Sequence, residues 1–181
     1  LQNNLNWPKQ RLRLIPSLKF KNVDKVKFDG KIFMPYSIMK NKILLKEFKN
    51  FLTQNKDWNL MNLEIKNHPY KENSNIHKSF IKNLQKIISE NKNKFSQTSK
   101  NNISIFFCET YAVVEALERG SQVIHICSDV VFESYSERLW PGIEVKQISD
   151  NSFLYKLKKT GQCIDFGKEE DTLNRCFNSV L

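Results

Sequence analysis

Glycine is scarce in this 181-residue chain. The five present, Gly30, Gly120, Gly142, Gly161 and Gly167, never stand at the short spacing of a phosphate-wrapping loop. Close approach of backbone to a pyrophosphate needs such spacing, so nucleotide sites of the glycine-rich dinucleotide and P-loop types are excluded. Cysteine is sparse as well. Cys108, Cys127, Cys163 and Cys176 are separated by 19, 36 and 13 positions, which matches neither a metal-ligand knuckle nor a redox pair. Cys108 and Cys127 close apolar strands, where free cysteine behaves as a small buried hydrophobe, and a reducing cytoplasm is the economical reading. No apolar run reaches the length of a membrane-spanning helix. The chain opens on Leu1, and we expect it to be a fragment of a longer protein.

Acidic residues are few in the first half. Residues 1–100 hold 21 Lys and Arg against 7 Asp and Glu, a balance of +14, whereas residues 101–181 hold 8 against 12, a balance of −4. Such asymmetry fits a polyanion or an anionic membrane face. It also fits lysines spread over solvated helix faces, which is the reading we prefer. Few aromatics interleave with the lysines of residues 40–100, which disfavours a single-stranded nucleic-acid groove. With 40% hydrophobic residues the chain is long and apolar enough to bury a core.

The pattern along the chain alternates strands and helices. Residues 1–30, with Trp7-Pro8, Ile15-Pro16 and the turn signal Asp29-Gly30, read as an arm or interdomain connector. Ile32 to Ser37 reads as a strand ending in a polar residue, and Ile43, Leu44, Phe48, Phe51 and Leu52 then recur at helical spacing. Leu63-Glu64-Ile65 leads to Asn67-His68-Pro69. A second helix follows over 75–90, with Ile76, Phe80, Ile81, Leu84, Ile87 and Ile88 on one face and Lys78, Lys82 and Lys86 opposite. A short edge strand is expected near Phe95.

Ile103 to Phe107 reads as a strand buried on both faces. A helix from Tyr111 to Arg119 should stop at Gly120. Strands are expected at Gln122 to Cys127 and, after Trp140-Pro141-Gly142, at Ile143 to Ile148. Residues 151–159 and 169–180 read as closing helices. The fold class is therefore α/β: a doubly wound, Rossmann-like parallel sheet of five or six strands with right-handed crossovers and helices on both faces. The domain is expected over residues 31–160, with 161–181 as a closing tail.

Ligands of such sheets bind beyond the carboxyl ends of the strands. Alone, His68-Pro69 reads as a loop histidine beside a turn proline. At a strand end, however, the proline stops the ladder and presents an imidazole that can donate to a phosphate. Thr110 falls between a buried strand and a helix, where its hydroxyl can cap the helix and meet an anion at the positive first turn. Glu115 would project from the second turn, at the distance of a ribose-binding carboxylate or as an ordinary solvated Glu. Asp129, Glu133, Glu137 and Arg138 read as a solvated helix face, His125 as a buried core histidine and His77 as exposed.

The arrangement strand-His-Pro, then strand-Cys-Glu-Thr-(x)4-Glu-Ala-Leu-(x)2-Gly-Ser-(x)-Val-Ile, resembles the C-terminal, donor-binding half of GT-B glycosyltransferases. The likeness is greatest to the bacterial sialyltransferase, Kdo-transferase and related surface-carbohydrate families, and covers residues 31–150 as a pattern of elements. It implies that His68 and Pro69 hold the phosphate of a CMP-sugar, that Thr110 is the second member of a hydroxyl pair, and that Glu115 lies near the ribose. Ser37, Asn67 and Tyr111 complete the expected donor-binding set. Glu109 stands where the first hydroxyl would be. Phe107 stands where retaining GT-B enzymes carry the first of two glutamates, which leaves the CMP-sugar type ahead.

What the resemblance implies is metal-independent transfer with no cofactor, His68 stabilising the departing phosphate, in capsule or lipopolysaccharide assembly. A glycan or lipid-linked acceptor would reach the site through a missing N-terminal domain that carries the base. Docking of the basic helices on the anionic inner face of the cytoplasmic membrane is a further expectation. The alternative of another class is a non-catalytic Rossmann-like module that binds a polyanion or a protein through its basic half.

Overall fold

The computed structural model describes residues 28–54, 63–91, 103–108, 110, 112–127 and 141–159, all within one compact unit spanning residues 27–164. Six strands form one sheet: β1 (Lys31–Phe33), β2 (Glu64–Lys66), β3 (Ile103–Phe107), β4 (Gln122–Ile126), β5 (Ile143–Ser149) and β6 (Ser152–Leu157). Their order is β2-β1-β3-β4-β6-β5. The first four run parallel, while β6 pairs antiparallel with both β4 and β5. Among the described residues three α-helices accompany them, α1 (Asn41–Gln54), α2 (Asn75–Asn91) and α3 (Ala112–Glu118). The fold is α/β and Rossmann-like, with an antiparallel hairpin closing one side of the parallel sheet.

Period-two alternation in the strands divides the core into two layers. Ile32, Ile103, Ile105, Phe107, Ile124, Ile126 and Leu154 face one side and pack with Leu44, Phe48, Phe51 and Leu52 of α1 and Phe80, Leu84 and Ile88 of α2. Phe106, Val123, Ile143 and Tyr155 face the other and pack with Val113, Val114, Ala116 and Leu117 of α3. β3 is buried along its whole length, as a strand covered by helices on both faces must be. Phe107 meets Phe48 and Phe80 edge-on, with ring centroids 5.7 and 5.4 Å away, the geometry the ring quadrupoles favour. On the opposite face Phe33 stacks on Phe106 at 4.7 Å.

Helix boundaries follow local chemistry. Ser74 caps α2, its carbonyl accepting from Lys78 N and its hydroxyl from His77 N. α3 ends as its glycine requires. Gly120 takes φ +85°, its amide donates to Leu117 and that of Ser121 donates to Ala116, the paired bonds of a Schellman cap. The Ser121 hydroxyl donates to the Asp29 carboxylate, linking this turn to the one that precedes β1.

Three expectations are corrected. Residues 151–159 hold a strand, β6, in place of a closing helix. Asp150-Asn151 is a hairpin turn between Ser149 and Ser152, and Asp and Asn favour turns and helix caps alike. His77 is buried. Ile76, assigned to the apolar face of α2, is 60% exposed, because the inward stripe runs through His77, Phe80, Leu84 and Ile88. The strand near Phe95, the helix at 169–180, residues 1–27 of the arm expected over 1–30 and the positions Asp129, Glu133, Glu137 and Arg138 lie outside the described residues, while Phe28 of that arm is buried in the core.

Candidate functional site

The strand order creates a switch point. From β1 the chain passes over one face through α1 to β2, and from β3 it passes over the other through α3 to β4 in the opposite direction. These two crossovers reverse both direction and face and so share one hand, whereas α2, between β2 and β3, lies on the same face as α1 while the chain moves in the opposite direction, so the expectation of uniformly right-handed crossovers is corrected there. Beyond the carboxyl ends of β1 and β3 the loops therefore part, and such a crevice is where open α/β sheets receive ligands. The ends of β2, β1 and β3 lie side by side there, and they carry Asn67-His68-Pro69, Tyr36-Ser37 and Thr110 respectively.

Beyond β2, Asn67 Oδ1 accepts from His68 N at 2.9 Å, and the chain enters a single 3-10 turn, Pro69–Lys71, capped by His68. Proline suits this first position because its missing N–H is one that the turn would leave unpaired. His68 Nδ1 accepts from Tyr70 N at 3.4 Å. With Nδ1 an acceptor, the proton of the neutral ring lies on Nε2, a single directed donor. Tyr36 sets its ring nearly perpendicular to the imidazole, with centroids 5.3 Å apart. The Lys71 ammonium lies 3.9 Å from the centre of the Tyr36 ring, a cation-π contact. The expected trio Asn67, His68 and Pro69 is thus joined by Tyr36 and Lys71, neither of which stood out in the sequence. Ser37, next to Tyr36, is exposed.

Thr110 follows β3, two strands from His68 with β1 between, which at the usual strand spacing is about 10 Å. Its hydroxyl oxygen accepts from Ala112 N at 3.3 Å and its carbonyl from Val113 N at 3.3 Å, so Thr110 caps α3. Glu115 Oε1 accepts from Arg119 Nε at 3.2 Å with both side chains largely buried, so its carboxylate is engaged along its own helix. Glu109 and Tyr111 lie outside the described residues.

Two buried histidines fix the chain where it leaves β1 and β3. His77 Nε2 lies 2.9 Å from the carbonyl of Pro35, just past β1. His125 Nε2 lies 2.7 Å from the carbonyl of Cys108, just past β3. A carbonyl can only accept, so each Nε2 carries the proton. Each Nδ1 then accepts from a hydroxyl, that of Ser74 at 3.1 Å for His77 and that of Tyr155 at 3.2 Å for His125. The burial of His125 was expected. Its use, and the matching use of His77, rest on bonds spanning 17 and 42 positions, and no local signal in the sequence announces them.

Among the described residues, no group of three or more His, Cys, Asp or Glu is placed to hold a metal ion. No described helix is long and apolar enough to cross a membrane. Cys127 is buried and Cys108 half-buried. Compared with protein-family models, curated proteins and solved structures, the chain gives no match.

Proposed function

We propose that this chain is the nucleotide-sugar-binding domain of a glycosyltransferase of GT-B type, taking a CMP-linked sugar for surface-polysaccharide assembly. The observation that carries the reading is the strand order. By setting β2, β1 and β3 side by side, it puts the Nε2–H of His68 and the Thr110 cap on one edge of the sheet, on either side of the loop that carries Tyr36 and Ser37. A nucleoside monophosphate is long enough to reach across such a span, its phosphate at His68 or at the first turn of α3.

In the proposed reaction the bond between the anomeric carbon and the phosphate oxygen breaks, and the acceptor hydroxyl takes its place on the sugar. The phosphate leaves with the electron pair. A donor already aimed at it stabilises that charge as it develops, without reorganisation, which is how an oxyanion site lowers a barrier. His68 Nε2–H would be that donor. The acceptor's proton would pass to a base on a further domain, so this chain alone binds nucleotide without turnover. The proposal includes a cytoplasmic setting, where activated sugars and lipid-linked acceptors meet.

Thermal unfolding of the chain in the presence of CMP, UDP and GDP tests the reading. CMP at about 100 times its dissociation constant should add about 2.7 kcal/mol of stability, and His68→Ala should remove most of that gain. Indifference to all three nucleotides, or an unchanged gain in the variant, would reject it.

A further inference from the structure

Among the described residues the exposed large hydrophobic side chains are Tyr36, Met39, Ile43, Tyr70 and Ile76, each 40% to 85% accessible. They are not scattered. Tyr36 and Met39 lie between β1 and α1, Ile43 in the first turn of α1, Tyr70 in the turn after β2 and Ile76 in the first turn of α2. Because β1 and β2 are hydrogen-bonded neighbours, their outgoing loops adjoin at one corner of the sheet. Tyr36 against His68, Lys71 over Tyr36 and His77 on the Pro35 carbonyl tie the two loops together. Single exposed apolar residues are ordinary, whereas a cluster with a polar rim marks a docking surface.

We propose that this corner docks on a lipid bilayer rich in anionic headgroups, with Tyr36, Met39, Ile43, Tyr70 and Ile76 entering the boundary between headgroups and acyl chains. Charge selects the sign of the partner. Residues 36–43 and 67–78 contain Lys40, Lys42, Lys71 and Lys78 against one acidic residue, Glu72. The aliphatic tips of Met39, Ile43 and Ile76 then select among anionic partners. A nucleic acid offers phosphates without an apolar layer, while a bilayer offers both at the spacing of a short side chain. Tyrosine adds an apolar ring with a polar end, the form enriched at membrane boundaries. This inference shares Tyr36 and Lys71 with the nucleotide reading but does not rest on it, since it uses neither Thr110 nor a bound nucleotide.

Sedimentation of the 181-residue chain with vesicles, in nucleotide-free buffer, tests it. Vesicles of phosphatidylcholine mixed with phosphatidylglycerol should carry the chain down, and vesicles of phosphatidylcholine alone should carry far less. The double variant Met39→Asn with Ile76→Asn alters only exposed positions, so folding is preserved, and it should weaken partitioning to the mixed vesicles by about tenfold or more. Lys42→Gln with Lys78→Gln should weaken it by about tenfold as well. No sedimentation with the mixed vesicles overturns the proposal. Undiminished binding by the Met39→Asn, Ile76→Asn variant, with an oligonucleotide displacing the chain, overturns it too and marks the corner as a plain polyanion surface. Since no nucleotide enters the assay, its failure leaves the CMP reading untouched, and the converse holds.

Discussion

His125 Nε2 donates to the Cys108 carbonyl at 2.7 Å, and Cys108 is held at φ +56°, in the left-handed region where a non-glycine residue is strained. The bond crosses from β4 to the tip of β3, next to the loop that delivers Thr110. Strain of this kind persists only where the surroundings over-determine it. Here the amide of Cys108 is also fixed, donating to Ile126 O at 2.9 Å. The path of the chain out of the central strand is thus set by its neighbour in the sheet.

Replacing His125 with Phe keeps the ring volume and leaves the Cys108 carbonyl without that donor. The expected cost is about 1–3 kcal/mol, measured by urea unfolding. Cys108→Gly relieves the backbone strain while losing a half-buried side chain, and should fall within about 1 kcal/mol of the parent. Cys108→Val, branched at Cβ, should be clearly worse than either parent or glycine variant.

His77→Phe should cost about 1–3 kcal/mol for the same reason, because the Pro35 carbonyl loses its partner. Amide hydrogen exchange should rise in the loop after β1 more than in β4. A uniform rise across the sheet would mean that His77 acts through packing alone.

Phe107 lies at the centre of the larger core layer, fully buried between Phe48 and Phe80. Phe107→Ala should cost about 3–5 kcal/mol, the price of the lost transfer energy and the cavity left behind. Gly120→Ala isolates a different quantity. An added Cβ there meets nothing within 4 Å, so only the positive φ of +85° opposes it. The expected loss is about 1–2 kcal/mol in the same unfolding assay.

Glu64 should titrate below the ordinary carboxylate range, because a hydrogen bond from the Lys66 ammonium favours its charged form. A carboxyl whose pKa is lower folded than unfolded contributes stability above its unfolded pKa and loses it as pH falls through the folded value. Glu64 is solvent-exposed, so the contribution is small and screened by salt. NMR titration of the Glu64 side chain should show the downward displacement at low ionic strength and its loss in Lys66→Gln.

The parallel half of the sheet was legible because its strands advertise themselves. Ile103 to Phe107 is apolar but for Ser104, and the stop at Gly120 follows from a residue that takes positive φ without strain. β6 was misread since Asp150-Asn151 serves a hairpin turn and a helix cap equally well, and Ser152 to Leu157 is too short for its period to decide. Ile43 and Ile76 fit a helical stripe on paper. In the fold they fall in the first turns of their helices and stay exposed. The sequence placed His68, Asn67 and Thr110 at strand ends. It could not show that Tyr36 packs against the imidazole with Lys71 over the Tyr36 ring, because those contacts depend on β1 and β2 being neighbours.

The most direct test of the nucleotide reading is to follow the nitrogen NMR signals of the His68 ring during titration with CMP. Binding of the phosphate at Nε2–H should move the Nε2 signal progressively to saturation, leave Nδ1 an acceptor, and spare the rings of His77 and His125. A CMP titration that leaves the His68 nitrogens where they began, at concentrations that saturate any thermal stabilisation, would contradict it.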